Sequence, residues 1–299
     1  MNERRDRRCA LAVLAACALG CRGSEAPRTD ARDAGGSPAV AEAGASPDPR
    51  RASSDGATGA PDAEASPAAF ACLAEHYAGH AVRTGSSWSL ELPDGTRIPW
   101  DDGRPKDSAA RIASPDVEDV FALGYPTGPI VPVTDEGDDP GRVRLEAMFR
   151  ATYGANEREV SRELVPVKIA GHSVRFHRRA APALERVAAR LDVLLRAEPS
   201  LGRYFRALGG TFATRTIAGT DRTSAHAWGI AIDIDPSMAD YWRNTPKVVW
   251  RNRIPAVIVE AFEAEGFVWG GRWFHYDTMH FEYRPELFDP RCRAARAGR

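Results

Sequence analysis

At 299 residues the chain has room for one large domain or two small ones. Its 43% hydrophobic and 27% charged content is that of an ordinary globular protein, and a formal net charge of -1 excludes the basic footprint expected of a nucleic-acid binder. Of its 40 Lys and Arg residues only Lys106, Lys168 and Lys247 are lysines, a bias that reads as codon composition.

The first residues read as a leader. Met1–Arg8 carries Arg4, Arg5, Arg7 and Arg8, and an apolar run follows from Ala10 to Gly20. A basic start before so short an apolar run marks residues 1–21 as a secretory signal peptide rather than a membrane span. The run ends in cysteine. Leu14-Ala15-Ala16-Cys17 resembles a bacterial lipoprotein cleavage site, and Ala18-Leu19-Gly20-Cys21 is a poorer match that leaves a more normal apolar run. Cys17 is therefore the preferred lipidated residue and Cys21 the alternative. The expectation is an extracytoplasmic lipoprotein, periplasmic or in the cell envelope, anchored to the membrane by its N-terminal lipid. Downstream only Cys72 and Cys292 remain. In an oxidising compartment they could form a disulfide closing almost the whole domain, or stay as two thiols.

Residues 22–67 are Ala, Gly, Ser, Pro, Asp and Arg in the main, with Val40 the one large aliphatic residue and no aromatic. Such a stretch cannot bury enough apolar surface to fold and is expected to be a disordered linker. As a flexible coil it would reach roughly 35–40 Å. Residues 68–165 read as the N-terminal part of the folded region, with short elements and turn signals at Pro93-Asp94-Gly95 and Tyr125-Pro126-Thr127-Gly128. No catalytic constellation stands out there, and Asp139-Pro140-Gly141-Arg142 reads as a structural turn rather than the carrier of a functional arginine.

Residues 166–299 form the expected catalytic core. Leu184, Val187, Ala188, Leu191, Leu194 and Leu195 fall on one face at helical spacing from Ala181, and Pro199 and Gly202 end the pattern. Pro255 suits a first helical turn, Val257, Ile258, Ala261 and Phe262 make an apolar stripe, and Gly266 is a stop. Phe267-Val268-Trp269 reads as a strand broken by Gly270-Gly271. Strands at the two motifs below, with helices between, predict an α+β fold: a small, mainly antiparallel sheet flanked by helices.

The first motif is Ser224-Ala225-His226-Ala227-Trp228-Gly229-Ile230-Ala231-Ile232-Asp233-Ile234-Asp235. Its isoleucines alternate with Ala231, Asp233 and Asp235, the period of a strand with the isoleucines on the core. A turn at Gly229 would fold His226 back toward the face where Asp233 points. The pair could ligate zinc, although a surface histidine beside a solvated aspartate would look the same. The second motif is Trp273-Phe274-His275-Tyr276-Asp277-Thr278-Met279-His280-Phe281-Glu282-Tyr283, with His280 and Glu282 on the polar face. His280 supplies a third ligand, and two imidazoles with one carboxylate leave a position open, as a catalytic zinc site requires.

These motifs, Ser-x-His-x-x-Gly-x-Ala-x-Asp followed by Asp-x-Met-His-Phe-Glu, resemble the D-alanyl-D-alanine carboxypeptidase (VanY-type) zinc metallopeptidases, which have the hedgehog/DD-peptidase fold. The resemblance covers about residues 205–288, with a looser likeness back to about residue 100. It implies one zinc ion on His226, Asp233 and His280, with Asp277 as general base. It also implies Arg215 near the scissile carbonyl, with Arg222 as rival. In the related D-Ala-D-Ala dipeptidases the base is glutamate; the aspartate here is that of the carboxypeptidase and endolysin branches.

The neighbours have two readings each. Ser224 could bind substrate or shape a turn, and Glu282 could orient a ligand imidazole or sit in solvent. His275 would line the cleft or be exposed, and Trp228 and Trp273 would wall the groove or fill the core. His76, His80, His172 and His177 have no partner pattern and read as surface residues. The implied function is a zinc-dependent hydrolase of peptidoglycan stem peptides using metal-activated water, foremost a D-alanyl-D-alanine carboxypeptidase. An L-alanyl-D-glutamate or cross-link endopeptidase is the near alternative. A non-catalytic zinc-containing lipoprotein that binds wall peptides is the alternative of another class, and the presence of Asp277 argues against it. A scaffold with no metal is disfavoured, because three buried polar ligands would stand unpaired.

Overall fold

Glycines and prolines cut the chain into short elements, and in the computed structural model residues 67–293 are described. The expected signal peptide, the lipidated Cys17 or Cys21 and all but the last residue of the expected linker lie outside them. The fold is α+β with antiparallel strand pairing throughout the named sheets. Among the described residues no helix is long and apolar enough to cross a membrane.

Helix α1 (Pro67–His76) leads into a three-stranded sheet of β1 (His80–Thr84), β2 (Ser87–Glu91) and β3 (Arg97–Pro99). Short helices α2 (Ser108–Ala113) and α3 (Asp119–Ala122) follow, then a long connection to α4 (Glu146–Tyr153) and α5 (Glu157–Arg162). Strands β4 (Leu164–Ile169) and β5 (His172–His177) make a hairpin, and α6 (Ala181–Ala197) packs against β4. A boundary between residues 165 and 166 would therefore cut β4, and both sides of it belong to one compact unit.

The amphipathic pattern of α6 is realised: Leu184, Val187, Ala188 and Leu191 are buried while the opposite face is exposed. Burying each of the larger side chains contributes about 1.5–3 kcal/mol, so a charge at Leu184 would break this seam. After α6 come β6 (Ala231–Asp233), α7 (Ala256–Glu263), β7 (Phe267–Trp269), β8 (His280–Tyr283) and α8 (Pro290–Arg293). Helix α7 starts after Pro255 and stops before Gly266, which takes the left-handed φ of 82°. Phe262 on α7 stacks on Phe281 of β8 with ring centroids 4.0 Å apart.

Strand β8 is the centre of the sheet β6-β8-β7, antiparallel to both neighbours. In register, Ile232 faces Phe281 and Asp233 faces His280, so the apolar residues share one side and the polar residues the other. A disulfide between Cys72 of α1 and Cys292 of α8, with Cα atoms 5.5 Å apart, joins the two ends of the described chain.

Candidate active site

The antiparallel pairing of β6 and β8 sets Asp233 and His280 directly opposite, and His280 Nδ1 stands 2.9 Å from Asp233 Oδ1. His226 arrives from a 3-10 turn, Ala225–Trp228. Ser224 caps this turn by accepting the His226 N–H, and Gly229 closes it with a left-handed φ of 65°. That φ favours glycine, and a Cβ there would also push Leu164 Cδ2, 2.5 Å away, aside. The turn brings His226 Nε2 to 3.1 Å from Asp233 Oδ1 and 3.2 Å from His280 Nδ1.

The outer nitrogens of the two rings decide what the inner ones can do. His226 Nδ1 lies 3.0 Å from the Thr211 carbonyl, and His280 Nε2 lies 3.2 Å from Glu282 Oε2. Both partners only accept, so the outer nitrogens carry the protons and, in the neutral rings, the inner nitrogens present lone pairs. Two lone pairs and a carboxylate oxygen thus converge on one point with no donor among them. A cation resolves that repulsion. The 2.9–3.2 Å edges of this triangle are close to the ~3.3 Å edge of a tetrahedron with ~2.0–2.1 Å bonds. Fixing the outer nitrogens with a carbonyl and a carboxylate is the arrangement that orients metal-ligating imidazoles.

Electrostatics give the same picture. Burial works against charge on Asp233, but the two imidazoles outweigh it and hold the carboxyl well below its usual range. Burial also opposes charge on His280, yet Asp233 and Glu282 push its proton affinity up to about 10. The pocket between these carboxylates is thus built for a positive charge, which a divalent cation supplies by displacing the proton. Among the described residues other carboxylate groupings exist, but this is the one that joins two imidazoles to a carboxylate.

Asp277 reaches the same cleft through a tight turn. Its N–H donates to the Gly270 carbonyl, 3.0 Å away, and a Cβ on Gly270 would stand 2.4 Å from the Asp277 carbonyl. The turn therefore closes only over glycine. Asp277 also makes an isolated antiparallel bridge with Tyr241, and its carbonyl accepts the His280 N–H. Its Oδ1 is buried with no hydrogen-bond partner among the described residues. Burial, reinforced by the Asp233 charge, pushes its carboxyl up to about 6, against the pull of His280 and Arg215.

Behind His280 lies a buried ion network. Glu282 accepts from Arg144 Nη1 at 2.8 Å and faces Arg284 Nη1 at 3.3 Å. Burial opposes its charge, but Arg144, His280 and Arg284 hold Glu282 well below the usual carboxylate range. Arg284, fully buried, also pairs with Glu286 and donates to the Val143 carbonyl.

The cleft in front of this centre is lined by Arg215, Ser224, Trp273 and Arg142 beside His226, Asp277 and His280. Arg215 is held through its backbone, whose carbonyl accepts the Ser224 N–H at 3.1 Å.

Residues 218–283 match the family model described as D-alanyl-D-alanine carboxypeptidase. No curated protein and no solved structure matches the chain. The matched segment holds both motifs, so this part of the chain is similar to a peptidase family. Arg215 lies just before it, and Arg142 and Arg144 well before it.

His226, Asp233, His280, Asp277, Arg215 and Ser224 thus come together, with Glu282 behind His280 rather than in solvent. Arg222 stays outside the cleft lining and donates to the Arg142 carbonyl at 2.8 Å. His275 and Trp273 line the cleft, whereas Trp228 is core. Two expectations are corrected. The Asp139–Arg142 turn exists, with Gly141 at φ 86°, but it also carries Arg142 into the cleft, so the first part of the fold does contribute. His177 is not a surface residue: it is buried under Tyr153, and burial pushes its imidazole down to about 4. Arg144 and Asp139 carry little local signal, because Glu282 and His275, which they engage, lie 138 and 136 residues away.

Proposed function

We propose that this protein is a zinc-dependent peptidase of peptidoglycan stem peptides, acting foremost as a D-alanyl-D-alanine carboxypeptidase. The observation that carries the reading is the convergence of His226 Nε2, His280 Nδ1 and Asp233 Oδ1 on one point, next to the unsatisfied Oδ1 of Asp277. The donor set fits zinc, with two imidazoles, one carboxylate and a fourth position open to the cleft. When bound there, zinc supplies a Lewis acid for the scissile carbonyl and lowers the pKa of an attacking water.

The chain's own groups do the rest. The Asp277 carboxylate, which lines the cleft and has one oxygen without a partner among the described residues, takes the proton of the attacking water and returns it to the leaving amine. Burial makes it a stronger base than a solvated aspartate. Arg215 offers a guanidinium for the negative charge that develops on the carbonyl oxygen. Ser224 fixes the turn that carries His226, and Glu282 fixes the His280 ring. A binding module would have no use for a buried carboxylate oxygen left without a donor, whose desolvation costs stability. We extend the reading to the whole chain as a lipoprotein anchored through Cys17 or Cys21, facing the wall from outside the cytoplasm.

The test is incubation of zinc-loaded protein with defined muropeptides, followed by mass spectrometry. Release of D-alanine supports the carboxypeptidase, and a shortened stem peptide or a split cross-link supports the endopeptidase. No product under conditions where the peptides bind would leave a wall-binding lipoprotein.

A further inference from the structure

Asp139 is 5% exposed and lies outside the matched family segment, yet it organises one side of the cleft. Its Oδ1 accepts the backbone N–H of His275 at 3.0 Å. Its Oδ2 faces His275 Nδ1 at 2.7 Å and accepts from Arg142 Nη1 at 2.8 Å. One buried carboxylate therefore fixes two cleft-lining side chains that come from opposite ends of the fold. Both are braced by aromatic rings as well: Arg142 lies over Trp273 at 5.7 Å, and the His275 ring meets Trp242 edge-on at 4.8 Å.

The fixed groups keep donors to spare. Among the described residues the Arg142 guanidinium gives only Nη1 to a side-chain acceptor, and His275 Nε2 has no partner. Arg222 holds the backbone of Arg142 from behind. A guanidinium braced by a carboxylate and an aromatic ring, with its remaining N–H groups on a cleft, is preorganised for a planar, bidentate anion. The nearby Glu282 is already neutralised by Arg144 and Arg284, so it does not compete for Arg142.

We propose that Arg142, with His275 beside it and Asp139 as their positioning residue, reads a carboxylate of the peptide substrate and so sets which bond is cut. This rests on the peptidase reading above. A carboxylate can come from two places: the free C-terminus of a stem peptide, or a carboxyl group borne by an internal residue next to the cleaved bond. Reading the first makes a carboxypeptidase; reading the second makes an endopeptidase.

The experiment compares kcat/KM of the full-length, zinc-loaded protein on three stem peptides: the free acid, its C-terminal amide, and a peptide with the internal carboxyl amidated. Wild type should prefer an acid over the matching amide by about 10- to 100-fold, the value of one charge-assisted hydrogen-bonding partner. Whichever amide is poor identifies the source. In Arg142→Gln that preference should fall toward one, and Asp139→Asn should lower the same ratio. Arg142→Lys, which keeps charge and loses the fork, should fall between, and it serves should the glutamine variant fail to fold. Zinc content is measured alongside and should not change. Wild type that cleaves acid and amide equally, or Arg142→Gln that keeps the full preference, overturns the assignment. Wild type that cleaves none of the three removes the peptidase reading itself, and this inference falls with it.

Discussion

Asp233 and His280 are cross-strand partners, opposite each other on β6 and β8, and their side chains meet at 2.9 Å. That single pairing makes the proposed metal centre a property of strand register. Slipping one strand by one residue would send its own polar side chain, Asp233 or His280, to the core face and bring Ile232 or Phe281 into the cleft.

His280→Ala should therefore strip the metal without collapsing the sheet. Metal analysis of protein purified without chelator should find close to one zinc per wild-type chain and little in His280→Ala or His226→Ala. Full occupancy in both variants would rule out this centre.

Asp277→Asn should keep its metal and lose roughly two to four orders of magnitude in kcat, because a general base is removed and no ligand is. Arg215→Ala should also keep the metal and lose about a hundredfold or more. Steady-state cleavage of a defined muropeptide, with zinc content measured in parallel, separates these outcomes. Asp277→Asn cleaving as fast as wild type would rule out Asp277 as the base.

The pH dependence carries a sign. Asp277 has its carboxyl raised to about 6 from an ordinary 3.8, so its contribution to stability is present below pH ~4 and is lost as pH rises through about 6. Two units correspond to about 2–3 kcal/mol. In metal-free protein, Asp277→Asn should become more stable relative to wild type over that window, as read by urea denaturation at pH 4 and 7. Activity should run the other way. The ascending limb of kcat/KM should lie at or below about 6, since a bound cation and Arg215 both favour the ionised base. Parallel stability curves for the two proteins would show that the charge is compensated.

Glu282→Gln should weaken zinc binding about 10- to 100-fold by releasing the His280 ring. It should also cost about 3–5 kcal/mol, because Arg144 and Arg284 would be left buried without their shared carboxylate. Competition against a chelator and thermal melts read the two effects. Unchanged metal affinity would make Glu282 purely structural.

The double variant Cys17→Ser, Cys21→Ser should lose its acyl chains and stop partitioning into detergent. Mass spectrometry of the mature N-terminus checks it, and a lipid retained on the variant would end the lipoprotein reading.

What could be read from residues alone was whatever repeats locally. The 3.6-residue stripe of α6, the Pro255-to-Gly266 limits of α7 and the alternation through Asp233 and His280 all became elements where expected. Glu282 was undecided because alternation marks a polar face but not what covers it. Here Arg144, from 138 residues earlier, does. Arg142 and Asp139 were hidden for the same reason: a turn sequence looks identical whether or not its last side chain enters a cleft. His177 reads as a surface residue because its cover comes from Tyr153, which packs on it from another element.

The Cys72–Cys292 bond spans 220 positions and links the helices at the two ends of the described chain. In the extracytoplasmic setting proposed above, where other proteases act, this has a consequence for survival. A single backbone nick in any exposed loop between the two cysteines leaves both fragments covalently joined. The β6–β8 pairing, the Asp139–Arg142 arm and the α6 seam can then re-form as an intramolecular event instead of a bimolecular one. Limited proteolysis should give a protein that stays one mass without reductant, separates with it, and keeps its zinc until the bond is reduced.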